Sequence, residues 1–247
     1  MSEEAQPLNL VMPGRSLSAG SGWSWIQGGW SFFIAAPGMW IVMMIMLVVG
    51  AVVFSVIPLI GSFAWQVVSP VLSAGLVVGC RSLETSGELE IEHLFAGFKA
   101  NFGSLLVLGL LYVLGGIAIL GVMFASVGSA ILAALMSGDS EAMMQAFAIT
   151  TPLIIGVFVS IILAALLLSA AWFAPALVVM HNVNPVKAML ASMGATFRNV
   201  GPFLIYGLVM LFFAIIAMIP FGLGMLVWVP VTVASGYFSY REVFTEA

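Results

Sequence analysis

"AGFKANFGSLLVLG" at positions 96–109 returns as "ATFRNVGPFLIYG" at 195–207 with one residue dropped. Phe98-Lys99 answers Phe197-Arg198, and Gly103 and Gly109 answer Gly201 and Gly207. In both copies a short amphipathic stretch, an aromatic residue and a cation lead into a long apolar run. Such a join is expected where a helix lying along a membrane surface turns to enter the bilayer.

Upstream of Lys99, residues Ile91, Leu94, Phe95 and Phe98 have the i, i+3, i+4, i+7 spacing of one helical face. Thr85 and Glu88 offer a capping box at its start. Upstream of Arg198 the stripe is Val186, Met189, Leu190, Met193 and Phe197, with Asn184 as N-cap and Pro185 at the first helical position. A more worn copy precedes the first long apolar run: Trp23, Ile26, Trp30 and Phe33 form the stripe and Pro37-Gly38 the turn, with no Lys or Arg at the join.

Composition identifies the medium. Of 247 residues, 63% are hydrophobic and 6% charged, against a charged share of about 25% in soluble domains. Apolar runs fall at Met39–Leu59, Phe63–Cys80, Phe102–Ser126, Pro152–Met180, Phe203–Ile219 and Phe221–Tyr240. None has an Asp, Glu, Lys or Arg at its centre. A bilayer core about 30 Å thick needs roughly 20 apolar residues per helix, and backbone groups in lipid must be satisfied within the segment. The expected fold is therefore all-α, a polytopic six-helix transmembrane bundle.

The second run of each pair repeats too. "SPVLSAGLVVGCRS" at 69–82 and "VPVTVASGYFSYRE" at 229–242 align without a gap, pairing Pro70 with Pro230, Val71 with Val231, Ala74 with Ala234 and Arg81 with Arg241. "APALVVMHN", from Ala174, supplies the middle version through Pro175. Pro70, Pro175 and Pro230 are expected to kink their helices, since each removes a backbone donor. Gln66, four residues before Pro70, is placed to satisfy the carbonyl freed there.

The chain thus reads as three repeats of interfacial amphipathic helix plus helical hairpin. Residues 1–22 form a mobile cytoplasmic tail, 23–83 the first repeat, 84–182 the second with an outer-side insertion at about 127–151, and 183–247 the third. That insertion carries Asp139, Glu141, Met143, Met144 and Phe147. Gly75 and Gly79 make a small-xxx-small patch suited to packing within the chain.

Arg15, Arg81, Lys99, Lys187, Arg198 and Arg241 all fall on one side of six spans. The positive-inside rule then puts both termini in the cytoplasm of a multi-pass inner-membrane protein. Arg81, Lys99, Lys187, Arg198 and Arg241 are read as headgroup and topology anchors. Membrane lipid, and a further membrane protein, are the expected partners; nucleic acid is not.

Chemistry is sparse. His181-Asn182 closes the fourth span and, with Gln66, makes the one polar site to consider; His93 sits among Glu88, Glu90 and Glu92. Neither histidine has the spacing of a metal motif. No HExxH, P-loop or Ser-His pair is present, and the spans lack the ionisable residues that coupled transporters place in the membrane. Cys80 alone excludes an intramolecular disulfide. No catalytic residue, metal ligand or cofactor is expected, and the chain is read as a non-enzymatic scaffold, accessory or lipid-organising protein. A passive permease or lipid-handling transporter, with a cavity between kinked helices, is the alternative.

From Leu168 to Phe212 the sequence resembles the membrane domain of bacterial glycerophosphodiester phosphodiesterases and its stand-alone inner-membrane relatives. The resemblance rests on Phe173-x-Pro175-Ala176 followed by Leu177-Val178-Val179, a short turn, then Pro185, Ala188, Ser192 and the basic Arg198. It implies a six-helix inner-membrane protein. The phosphodiesterase barrel has no counterpart in these residues, so its activity and catalytic groups are not carried over.

Overall fold

The structure is a computed structural model and describes residues 9–58, 60–138, 141 and 151–246. Their regular structure is helical apart from a single antiparallel bridge between Leu10 and Thr245. Five helical stretches are long and apolar enough to cross a membrane: Pro37–Ser55, Ile60–Thr85, Phe102–Gly128, Thr151–His181 and Val200–Met218.

The elements run α1 (Ser21–Ala35), α2 (Pro37–Ser55), α3 (Ile60–Thr85), α4 (Ile91–Leu94), α5 (Ala96–Lys99) and α6 (Phe102–Met123). A π-helical turn at Phe124–Gly128 leads to α7 (Ser129–Ser137). Then follow α8 (Thr151–Trp172), α9 (Ala174–His181), α10 (Pro185–Arg198), α11 (Val200–Met218) and α12 (Met225–Phe244). The last, with 20 residues, is as long as a span but less apolar. Ser235, Tyr237, Ser239 and Tyr240 are buried by neighbouring helices, so this helix does not need an apolar side chain at each of those positions.

The chain forms two compact units, residues 1–110 with 169–247, and residues 111–168. Within the first, the surface helices pack in an ordered way. α4 and α5 lie on α3, α10 lies on α9, and α1 lies on α12 and α11. Meanwhile α9 packs on α3, and α12 on α2 and α3. Between these elements Trp25, Trp40, Phe173, Tyr237, Tyr240 and Phe244 are fully buried with Met43, Leu105 and Leu177, so the interior is filled with large side chains.

Glycine sets the contact of surface helix with hairpin. A Cβ on Gly97 would sit 2.1 Å from the Val71 carbonyl, and one on Gly29 would sit 2.6 Å from the Val231 carbonyl. Gly75 lies as closely under the backbone of α4, where a Cβ would meet the Leu94 carbonyl at 2.2 Å. Gly75 and Gly79 therefore serve packing inside the chain.

Two of the three prolines have an identifiable local partner or break. Ser69 Oγ donates to the Gln66 carbonyl at 3.0 Å, so a neighbouring hydroxyl, rather than the Gln66 side chain, reaches the group that Pro70 frees. Ahead of Pro175 the helix breaks at Phe173, and the buried Ser192 of α10 fills the gap. Its Oγ accepts from the Phe173 N–H at 3.0 Å and donates to the Ser169 carbonyl at 2.7 Å. Residues 169 and 173 are an ordinary i to i−4 pair, so one hydroxyl from another helix has been inserted into the ladder.

Several sequence expectations are altered. The surface stretch before Lys99 forms two short helices because the chain breaks at Phe95, and its start is at Glu90, whose N–H donates to His93 Nδ1 at 3.0 Å. Thr85 instead donates back to the Arg81 carbonyl at 2.9 Å. Asn184 does cap α10, accepting from the N–H groups of Val186 and Lys187. The bulky stripes do not all pack inward: Leu94 is buried while Ile91, Phe95 and Phe98 are exposed. On α10 the small Ala188, Ser192 and Ala195 face the protein, and Val186, Leu190 and Phe197 are exposed.

Residues 9–20, expected as part of a mobile tail, are tied down instead. Val11 and Arg15 donate their N–H groups to the carbonyls of Phe244 and Val243, each at 2.8 Å, and Leu17 N–H donates to Asn199 Oδ1 at 2.8 Å. The first residues of that tail, 1–8, lie outside the described residues.

The second unit is made from the later part of α6, the π-helical turn, α7 and most of α8. Its close approaches are Gly115 against Leu167 and Gly156 against Ser126. Ser126 Oγ donates to the carbonyls of Val122 and Met123, each at 2.9 Å, beside the π-helical turn. Of the insertion, α7 continues the helix to Ser137; Asp139, Ser140, Met143, Met144 and Phe147 lie outside the described residues.

Gly97→Ala and Gly29→Ala should each lower stability by about 1–3 kcal/mol through overpacking, whereas Gly103→Ala, with open space around it, should not. Ser192→Ala should cost about 1–3 kcal/mol by leaving a buried N–H unpaired. Thermal unfolding of the detergent-solubilised variants, compared with wild type, measures all four.

Candidate functional site

Two features at the surface of the first unit stand out, a polar cluster and a pair of apolar grooves. The cluster gathers Arg15, Arg81 and Arg241, three of the six Lys and Arg residues of the sequence. Glu84, at the close of α3, accepts from Arg81 at 3.0 Å, from the Tyr237 hydroxyl at 2.5 Å and from Arg241. Arg81 and Arg241 are half-buried, so these bonds hold two cations in place against one carboxylate.

Glu242 takes a similar part. Its carboxylate accepts from the Ser21 hydroxyl at 2.8 Å and from Trp25 Nε1 at 2.7 Å. Arg15 donates to the carbonyls of Glu242 and Thr245 at 3.0 and 2.6 Å, satisfying acceptors at the end of α12 and matching the negative pole of its helix dipole. A pocket of about 330 Å³ lies here, lined in part by Arg15, Ser24, Glu84, Arg241 and Glu242.

Of the polar residues singled out in the sequence, His181 joins this end: its Nε2 and the Tyr240 hydroxyl are 2.6 Å apart. Asn182 takes a left-handed conformation, φ 53°, that ends α9, and its side chain is exposed. Gln66 is exposed and lies fifteen residues before Arg81 on α3, about 22 Å along the axis. The three do not converge. Among the described residues no three His, Cys, Asp or Glu side chains group as metal ligands would.

The expected anchors divide by environment. Lys99 and Lys187 are exposed, Arg198 is exposed and donates to the Pro13 carbonyl, and Arg81 and Arg241 are drawn into the cluster. Pro70, Pro175 and Pro230 are all buried.

Sequence reading passed over Glu84 and Glu242, although an acid three residues after Arg81 and another beside Arg241 at the ends of two aligned runs were visible. It also passed over two asparagines at the repeated joins. Asn101 donates to the Val178 carbonyl at 2.9 Å, and Asn199 both accepts from Leu17 and donates to the Arg15 carbonyl at 2.9 Å. Their shared position in the two quoted stretches was the available signal.

The grooves are lateral. One, of about 460 Å³, lies between Trp23, Ile26 and Trp30 of α1, Met210, Phe213 and Ala217 of α11, and Val227, Trp228 and Val231 of α12. The other, of about 510 Å³, lies between Ile45, Val49 and Phe54 of α2, Trp65, Val68 and Leu72 of α3, and Leu94, Phe95 and Phe98 of α4 and α5. Each is walled by one hairpin and by the surface helix that follows it or, for α1, that lies beside it. Trp23, Trp30, Phe95 and Phe98 rim them with half-exposed aromatic rings, as suits a membrane interface.

No family model matches the chain, and no solved structure matches it. A protein of Burkholderia thailandensis, named as a probable inner membrane protein, is 28% identical over 219 residues, covering 85% of this chain and 78% of the relative. With the five apolar helices, the chain is a multi-pass helical protein of the inner membrane.

Glu84→Gln and Arg241→Gln should each reduce thermal stability, with a coupling of about 0.5–1 kcal/mol between them that shrinks at high salt. A double-mutant cycle on the solubilised protein reads that coupling.

Proposed function

We propose that this protein is a non-enzymatic organiser of lipid in the inner membrane, with six crossings in three repeated units and both termini cytoplasmic. The observation that carries the reading is the pair of lateral apolar grooves built in the same way on two different hairpins. A first unit whose interior is filled, with grooves on its flanks, suits holding lipid at its edge better than a solute path through that unit.

The repeat is supported by equivalent contacts. Val71 and Val231, which align in sequence, are the residues whose carbonyls approach Gly97 and Gly29. Six crossings are supported by the bridge between Leu10 and Thr245: a chain whose ends meet on one side has crossed an even number of times, and α12 brings five apolar helices to six. The cytoplasmic assignment is supported by Arg15, Arg81 and Arg241, which gather beside the bridged ends. The likeness of Leu168–Phe212 to the membrane domain of glycerophosphodiester phosphodiesterases is consistent with a membrane unit that works beside other proteins, and membrane-protein partners would be sought by co-purification.

Reconstituted in vesicles, the protein should leave them as impermeable to small solutes as empty vesicles, while a spin-labelled phospholipid shows a motionally restricted fraction. Solute leakage that depends on the protein would replace this reading with a permease. Cysteines introduced at Lys187 and at Glu246, the native Cys80 being buried, should both react only with reagent that has access to the cytoplasmic face.

A further inference from the structure

We propose that the groove between α2, α3 and the α4–α5 pair binds an acyl chain of an anionic phospholipid, with Lys99 taking the headgroup, and that the groove beside α1 binds a chain without preference for headgroup charge. This rests on the lipid-organising reading above and names the lipid class.

The two grooves share one construction. In each, a glycine of the surface helix sits on a carbonyl one residue beyond a proline inside a helix, Gly97 on Val71 and Gly29 on Val231. That contact fixes the surface helix to the second helix of a hairpin, and an apolar trough opens between it and the hairpin. On the flank of a membrane-crossing protein the surrounding medium is lipid, and a trough of about 500 Å³ bounded by a surface helix fits an acyl chain better than any water-borne ligand.

They differ in charge at the rim. Phe98 lines the α2–α3 groove and the next residue, Lys99, ends α5 exposed, with no ion-pair partner among the described residues. The corresponding join after α1 reads Ala35-Ala36-Pro37-Gly38 and has no cation. The cations beside α1 are already engaged, Arg15 by the carbonyls of Glu242 and Thr245 and Arg241 by Glu84. A single Lys near a membrane surface shifts the association of an anionic lipid about five-fold at most, so the difference between grooves is measurable.

The test uses vesicles containing phosphatidylglycerol or phosphatidylcholine with a photoactivatable diazirine in the acyl chain, followed by peptide mapping of the labelled protein. Phosphatidylglycerol should label Trp65 and Leu72 up to about five-fold more than phosphatidylcholine, and the two should label Trp228 and Val231 equally. Lys99→Gln should equalise the two lipids at Trp65 and Leu72 without moving the label. Val49→Trp should remove label there and leave Trp228 labelled, which also reports that the variant is folded. Equal labelling by the two lipids in the wild type, a preference that survives Lys99→Gln, or label spread evenly along the helices would overturn the proposal. A restricted spin-label fraction in those same vesicles would leave the broader lipid-organising reading standing, and its absence would remove both.

Discussion

In hydrocarbon a helix has no water with which to repair a missing backbone bond, and this chain has prolines inside α3 and α12 and in the first turn of α9. The fold is organised around those weak points. The Gln66 carbonyl, four residues before Pro70, accepts from Ser69 Oγ, and ahead of Pro175 a serine hydroxyl from α10 completes the interrupted ladder; one residue beyond Pro70 and Pro230 a glycine of a surface helix packs against the Val71 or Val231 carbonyl. Each surface helix therefore docks beside one of these prolines, so its position is fixed by backbone geometry more than by side-chain volume. Gly97, Gly29 and Ser192 are small because only a small residue admits that approach.

The rest of the first unit follows from this docking. Once the small faces of the surface helices are turned inward, their bulky residues face outward, which leaves Phe95, Phe98, Trp23 and Leu190 exposed. The polar cluster serves the same end from within. Glu84 ties α3 to α12 through Arg241 and Tyr237, and Glu242 ties α12 to α1 through Trp25 and Ser21. Two carboxylates thus join three helices, with most of their acceptor capacity used.

Much of this was legible beforehand because lipid imposes long apolar runs and because repeats expose equivalent positions. Helix character, the joins, the N-cap at Asn184 and the aligned prolines came from those two signals. Other features were not legible, for stated reasons. Composition made residues 9–20 look like a tail, since Ser, Gly and Pro carry no periodicity, yet this segment is held through backbone groups that every residue has. The apolar stripe of α10 was visible, but a stripe does not say whether protein or lipid covers it; the small residues between the bulky ones decide that. Gln66, His181 and Asn182 were grouped only because they are polar in an apolar chain, and the length of α3 separates Gln66 from the others.

The contact of α1 with α12 joins the beginning of the chain to its end. At roughly 5–20 residues per second of synthesis, a helix near position 30 waits on the order of 10–40 s before its partner near position 235 is made. For that interval the face of α1 that meets α12 has no partner, and its contacts are those with elements already made, such as Trp40 Nε1 donating to the Phe32 carbonyl at 3.0 Å. Assembly of the first unit is therefore completed by its last helix, which closes the contact between the start of the chain and its end.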